Sequence, residues 1–425
     1  MRWLRDREAK KSKASFPELF FDLVFVFGLI QLSHTLAEDF TSTAVGEALL
    51  LILAIWWLWI NTTWVTNLLN TDSEPVRYLL FALMFAAILM AIALPEAFGD
   101  HALPFAAIYA LMQVGRSLFA WVAFGSHDPK SASTFGRITF WACIAGTLWV
   151  AGAFASTEWR LAVWGLALAI EYGVPLLRFP FPGLGRADKE TLNLNGEHLA
   201  ERCALFVIIC LGETILTTGR NAVEHMGPDL TFLVFCGAFL STVAMWWIYF
   251  HRGQEEAAEK AEETNEPEAV AHSLFTYGHL PIVAGIILTA VGEDFALSHP
   301  EEQGDWKSAC AIIGGPVLFV REHLAEARSR SAVSLFSPCW SRWPLGNQYR
   351  CTAGAALSSE YRSNGSIALR RHIRICRASP AAVTSARAIA SCLTACDLLV
   401  IAIWNRLLPF VRLGPSYGSA RHNGD

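Results

Sequence analysis

The sequence predicts an all-α fold, a polytopic transmembrane helix bundle of about 10–11 spans, on three observations. Of 425 residues, 53% are hydrophobic and 17% charged, where soluble domains carry roughly 25% charged residues. The apolar residues fall in blocks of about 20, the length a helix rising 1.5 Å per residue needs to cross roughly 30 Å of hydrocarbon. Lys and Arg also partition between alternate connecting segments, as the positive-inside rule requires of a multi-span protein.

Hydropathy places helices near residues 16–36, 44–63, 77–96, 102–123, 135–155, 158–177, 199–218, 230–251, 272–292 and 309–320. The basic stretch at residues 1–15 followed by FPELFFDLVFVF superficially resembles a secretory leader. Glu18 and Asp22 interrupt its apolar run, however, and no small-residue A-x-A site follows, so a retained first helix is expected. With residues 1–15 in the cytoplasm, fourteen Lys or Arg lie on the cytoplasmic side against three, Arg160, Arg220 and Lys307, outside. That asymmetry predicts a cytoplasmic amino terminus and places the acidic segment 252–271 on the same side.

The helices divide into a first half, 16–177, and a second, 199–320, with an internal echo between them. ELFFDLVFVFGLIQ at Glu18 parallels ERCALFVIICLGET at Glu201, and AIWWLWI at Trp56 and Trp57 parallels AMWWIYF at Trp246 and Trp247. The next helix matches in turn, with spacings of about 183, 190 and 195 residues. Six intervening helices preserve orientation, so the echo implies a parallel two-half repeat. Chance similarity among spans rich in Leu, Phe and Trp is the other reading.

From residue 321 the composition changes. Residues 1–320 hold 19 Lys or Arg against 33 Asp or Glu, whereas residues 321–425 hold 14, all Arg, against 5. Arg and Ser scatter over 321–387 with no helical or strand period, as in a GC-rich gene read in the wrong frame, and 388–410 reads as a last apolar helix. A frameshift near Val320, compensated near Ala388, is one account. A disordered basic tail that binds anionic lipid is the other. The ten cysteines form no C-x-x-C pair, so neither a zinc site nor a redox motif is indicated.

A charge inside hydrocarbon is costly and calls for a partner, a wet cavity or a function. The intramembrane candidates are Glu18, Asp22, Arg116, Glu171, His198, Glu201, Arg202 and Glu213, with Gln31, His34 and His279 as secondary candidates. Orientation and rise place Glu18, Asp22, Arg116, Glu171, Glu201 and Arg202 in the inner half of the membrane, where one cluster could gather them. Glu18 and Asp22 share a helix face four residues apart and call for Arg116 or Arg202 beside them. Arg202 and Glu213 lie on one stripe but about 16 Å apart along the axis, so Glu213 needs a different partner. Gly212 before it suits a close helix crossing. The cluster reads either as structural ion pairs that fix packing or as a path for a proton, ion or solute. The two histidines read as satisfied buried or interfacial groups before they read as ligands.

No phosphate-binding loop, dinucleotide fingerprint, nucleophile elbow or H-E-x-x-H occurs, so no enzyme activity, cofactor or metal is called for. The acidic core region argues against nucleic acid. The partners expected are the lipid bilayer and an unidentified small solute or ion.

The strings FPELFFDLVFVFGLIQLSHTL, EHLAERCALFVIICLGETIL and YGHLPIVAGIIL resemble the bacterial low temperature requirement protein A family over residues 16 to about 320. The resemblance implies a multi-pass inner-membrane protein with no established biochemical activity. By motif match it points to Glu18, Asp22, His198, Glu201, Arg202, Gly212 and Glu213. Cys203 and Ala204 depart from that pattern, as does the loss of the expected carboxyl-terminal helices.

Overall fold

The computed structural model describes residues 3–5, 13–125, 127–183, 185–187, 192, 194–225, 230–251, 271–298 and 308–321. These residues belong to one compact unit, Met1–Ala327. The expected acidic segment up to residue 270, the Arg-rich tail beyond residue 321 and the apolar stretch 388–410 lie outside the described residues.

The architecture is all-helical, with isolated bridges as the only β pairing among the described residues. Ten helices run in order among the described residues: α1 (Phe16–Glu38), α2 (Ser42–Leu68), α3 (Glu74–Ala93), α4 (Ala102–Gly125), α5 (Pro129–Ala153), α6 (Thr157–Leu176), α7 (Gly196–His225), α8 (Leu230–Phe250), α9 (His279–Ser298, continuing a π-helical turn His272–Gly278) and α10 (Ser308–Arg321). Seven of them, α1 to α5, α8 and α9, are long and apolar enough to cross a membrane. α10 is shorter, and α6 and α7 carry the charges that matter most below. α7 runs longer than hydropathy suggests, from Gly196 to His225.

Local chemistry sets the helix ends. α1 starts at Ser15, whose backbone N–H and hydroxyl both donate to Glu18 Oε2 (2.8 and 2.9 Å), with Pro17 in the first turn. Asp128 caps α5 by accepting from Lys130 and Ser131 N–H, and Asn195 Oδ1 accepts from His198 N–H (2.9 Å) to start α7.

α2 is the central post. Its 27 residues span about 40 Å, and Trp56, Trp57, Leu58, Trp59 and Ile60 are all buried in succession, the mark of a helix enclosed on every side. Around it, α1 packs on α2 and α3 as α7 packs on α8 and α9. α9 also packs broadly on α1, with no comparable contact of α3 on α7. α8 also packs on α9 whereas α2 makes no comparable contact with α3, so the pairings do not confirm the two-half repeat.

α9 and α10 meet backbone to backbone. A Cβ on Gly292 would stand 2.7 Å from the Ala311 carbonyl carbon, and one on Gly315 would stand 2.5 Å from the Thr289 nitrogen. Only hydrogen at these positions permits the approach, the usual way membrane helices gain contact without a hydrophobic drive between them. The outward faces are apolar: Phe20, Leu23 and Phe27 on α1, Phe81, Phe85 and Ile92 on α3, and Leu233, Leu240 and Trp247 on α8 are exposed. So much apolar surface fits lipid rather than water.

Candidate functional site

Two parallel helices, α1 and α7, carry most of the candidates. At their amino-terminal ends, Glu18, Asp22, His198 and Arg202 come together with none of them exposed. The Arg202 guanidinium grips Asp22 with a fork, Nη2 to Oδ1 at 2.6 Å and Nε to Oδ2 at 3.1 Å. Its Nη1 reaches Glu18 Oε1 at 3.0 Å and donates to Thr66 Oγ1 at 3.2 Å. Trp59 Nε1 donates to Asp22 Oδ1 (2.7 Å). Bidentate geometry of this kind is why Arg rather than Lys suits the position.

The network also sets the histidine tautomer. Asn67 Oδ1 accepts from Asn195 N–H (3.0 Å), which orients the amide, and Asn67 Nδ2 donates to the Asn195 carbonyl (2.8 Å). The same Nδ2 lies 3.1 Å from His198 Nδ1, which must therefore accept. Nε2–H is left to donate to Glu18 Oε2 at 3.4 Å, with Oε1 3.3 Å away.

Arg5 completes this end. Residues 3–5 fold back on the end of α2, with Asn70 N–H donating to the Trp3 carbonyl (2.8 Å) and Arg5 N–H to the Leu68 carbonyl (3.1 Å). Arg5 Nη2 thereby reaches Glu18 Oε1 (3.4 Å) and the Thr66 carbonyl (3.1 Å). Glu201 stands at the margin, only half-buried, accepting from Ala14 N–H (3.0 Å).

Arg116 and Glu171 do not join this group; α2 lies between. They build a second cluster with α4 and α6. Tyr109 Oη donates to Glu171 Oε2 (2.8 Å), and Gln113 Nε2 donates to Glu171 Oε1 (3.3 Å) and lies 3.0 Å from Tyr109 Oη. Arg116 donates to Gln113 Oε1, to the Leu58 carbonyl (3.1 Å) and to Thr62 Oγ1 (3.2 Å). Gln113 thus stands between the cation and the carboxylate. Depth alone could not separate the clusters, because two charges at one depth can still face opposite sides of a central helix.

At the opposite ends of α1 and α7, Glu213 accepts from Thr217 Oγ1 (2.9 Å) and weakly from Ser33 Oγ (3.5 Å). His34 Nε2 lies 3.9 Å away and itself faces Arg220. Gly212 has no neighbouring side chain or foreign backbone within 4 Å of where a Cβ would stand, so no close crossing occurs there. Gln31 is half-buried and contributes its carbonyl to Thr35 Oγ1 (2.9 Å). His279 is remote from both ends; its Nδ1–H donates to the Leu274 carbonyl (2.8 Å) and its Nε2 accepts from Tyr249 Oη (2.9 Å).

Between the two polar ends the α1–α7 seam is apolar. Phe25, Leu29, Phe206 and Cys210 are all buried there, and Phe206 packs on Trp59 with ring centroids 4.1 Å apart. Among the described residues no group of three or more His, Cys, Asp or Glu is placed to hold a metal ion.

Sequence reading missed Arg5, Trp59, Thr66, Asn67, Tyr109 and Gln113. Tyr109, Gln113 and Arg116 do carry a signal, their spacing of four and three residues on one helix face. The others reach the site across helices, which periodicity does not report.

A family model described as bacterial low temperature requirement A protein (LtrA) matches residues 13–403. The chain belongs to this LtrA family. An uncharacterized protein of Rhizobium meliloti (strain 1021), RA0937, is 54% identical over 335 residues, which cover 79% of this chain and 82% of that protein. No solved structure matches. The family match takes in α1, α7 and the Tyr109–Glu171 cluster and leaves out Arg5; this LtrA protein is a multi-pass membrane protein.

Proposed function

We propose that this LtrA protein carries a proton or small ion across the bacterial inner membrane along the α1–α7 seam, without enzymatic chemistry. One observation carries the reading: the two parallel helices hold carboxylates at both ends, Glu18 and Asp22 at one and Glu213 at the other, separated by the apolar stretch around Phe25 and Phe206. Intramembrane carboxylates facing protein rather than lipid mark ion and proton paths, and an apolar closure between polar ends is what an occluded path requires. The basic residues on one side support a cytoplasmic amino terminus. The experiment is proton and cation flux in proteoliposomes with wild type and Glu213→Gln. Flux in wild type and its loss in the variant is the expected result; equal flux in both and in empty vesicles removes transport.

The second reading is a non-transporting envelope scaffold or lipid-sensing helper. The complete pairing of Arg202 with two carboxylates favours it, since a buried network with every charge matched fixes packing. Copurification of a stable partner together with absent flux selects it. Residues 321–387 are read as frame-shifted, with a basic tail that binds anionic lipid as the alternative, and resequencing the gene decides between them.

A further inference from the structure

Glu293, in the last third of α9, is 7% exposed. Its Oε2 accepts from Thr218 Oγ1 on α7 (2.9 Å), while its Oε1 is sealed from solvent with no hydrogen-bond partner among the described residues. An unmatched buried oxygen of this kind is costly, more so when the group is charged, and in a native site it calls for an explanation, a bound ion among them. We propose that Glu293 and Thr218 form the core of a binding site for one dehydrated monovalent cation of the sodium class, held between α7 and α9.

The donor set favours such an ion. The hydroxyl of Thr218 spends its single hydrogen on Glu293 and keeps lone pairs for a cation. Thr214, four residues before it, and Asn221, three after, share its helix face, and both are buried. Oxygen donors of this type suit hard cations, not the softer metals that take thiolate or imidazole. The nearby guanidinium is committed elsewhere: Arg220 Nη2 lies 3.8 Å from Asp294, which also accepts from Asn221 Nδ2 (2.8 Å). No basic side chain lies within ion-pair distance of Glu293 among the described residues. One carboxylate balances one positive charge, whereas a divalent ion would leave a net charge in a medium where that is costly. The site concerns equilibrium binding and stands whether or not the cation is carried across the membrane.

The test is thermal melting of the purified full chain in detergent, at fixed pH and ionic strength, with sodium, potassium or choline chloride. A saturable rise in Tm with sodium is expected in wild type. The half-saturating sodium concentration should increase at least tenfold in Glu293→Gln and several-fold in Thr218→Val. Equal melting in all three salts, or an unchanged sodium response in Glu293→Gln, overturns the proposal. So does a response to pH with none to sodium, which would give the oxygen a proton instead. Should the variants fail to fold, binding of radioactive sodium to wild type still decides: uptake displaced by unlabelled sodium but not by choline supports the site, and no saturable uptake overturns it.

Discussion

The two ends of the α1–α7 seam solve the problem of a charge in lipid in opposite ways. At the Glu18 end, two carboxylates, a guanidinium, an imidazole, an indole and an amide close on one another until each charged atom has a partner. At the Glu213 end, acidic groups rest mainly on threonine and serine hydroxyls, and one Glu293 oxygen has no partner among the described residues. The first arrangement is stiff, because moving any member strands another. The second keeps capacity for an incoming cation or proton. The difference teaches that burial of charge is no single signal: a closed network argues for architecture, an incomplete one for exchange.

The largest effect should come from breaking the closed end. Arg202→Met removes the one group that bridges Glu18 and Asp22, and truncating one partner of a buried ion pair costs about 3–5 kcal/mol. Unfolding of the purified variant in a denaturing detergent should show a loss of that size, and a loss under about 1 kcal/mol would mean the pairing contributes little to the fold.

At the open end the same kind of measurement should give a smaller number. Glu213→Gln keeps an acceptor oxygen for Thr217 and Ser33, so stability should fall by about 1 kcal/mol or less, even where flux is lost. A drop comparable to that of Arg202→Met would erase the contrast and make both ends structural.

The helices were legible because a membrane imposes long apolar blocks, and α1, α2 and α3 announce themselves through little else. Same-helix relations were legible too: Glu18 with Asp22, His198 with Arg202, and the separation of Glu213 from Arg202 all follow from 3.6 residues per turn. What faces what across helices was not. Arg116 and Asp22 sit at similar depth, yet Arg116 turns from α4 to Leu58 and Thr62 of α2 while Asp22 turns from α1 to Arg202 of α7, and nothing in either helix's own period tells these apart. Glu293 escaped notice for a related reason. Near a span's end an acidic pair reads as the start of a loop, and only the neighbouring Thr218 on α7 shows that one member turns inward.

The smallest expected effect lies at the edge of the closed end, where Arg5 tests how far that closure extends. Its guanidinium is 3.4 Å from Glu18, longer than the Arg202 contact, and its side chain retains 16% exposure. Partial solvent access screens the pair, and such contacts are worth about 0.2–1 kcal/mol. Arg5 also donates to the Thr66 carbonyl, and glutamine at this position keeps a donor for that bond. Arg5→Gln should therefore shift unfolding by about 0.5 kcal/mol, and the shift should shrink further at high salt while the Arg202→Met loss does not. A salt-insensitive loss as large as that of Arg202→Met would place Arg5 inside the sealed network, and the folded-back residues 3–5 would then be as integral to this end of the seam as α7 itself.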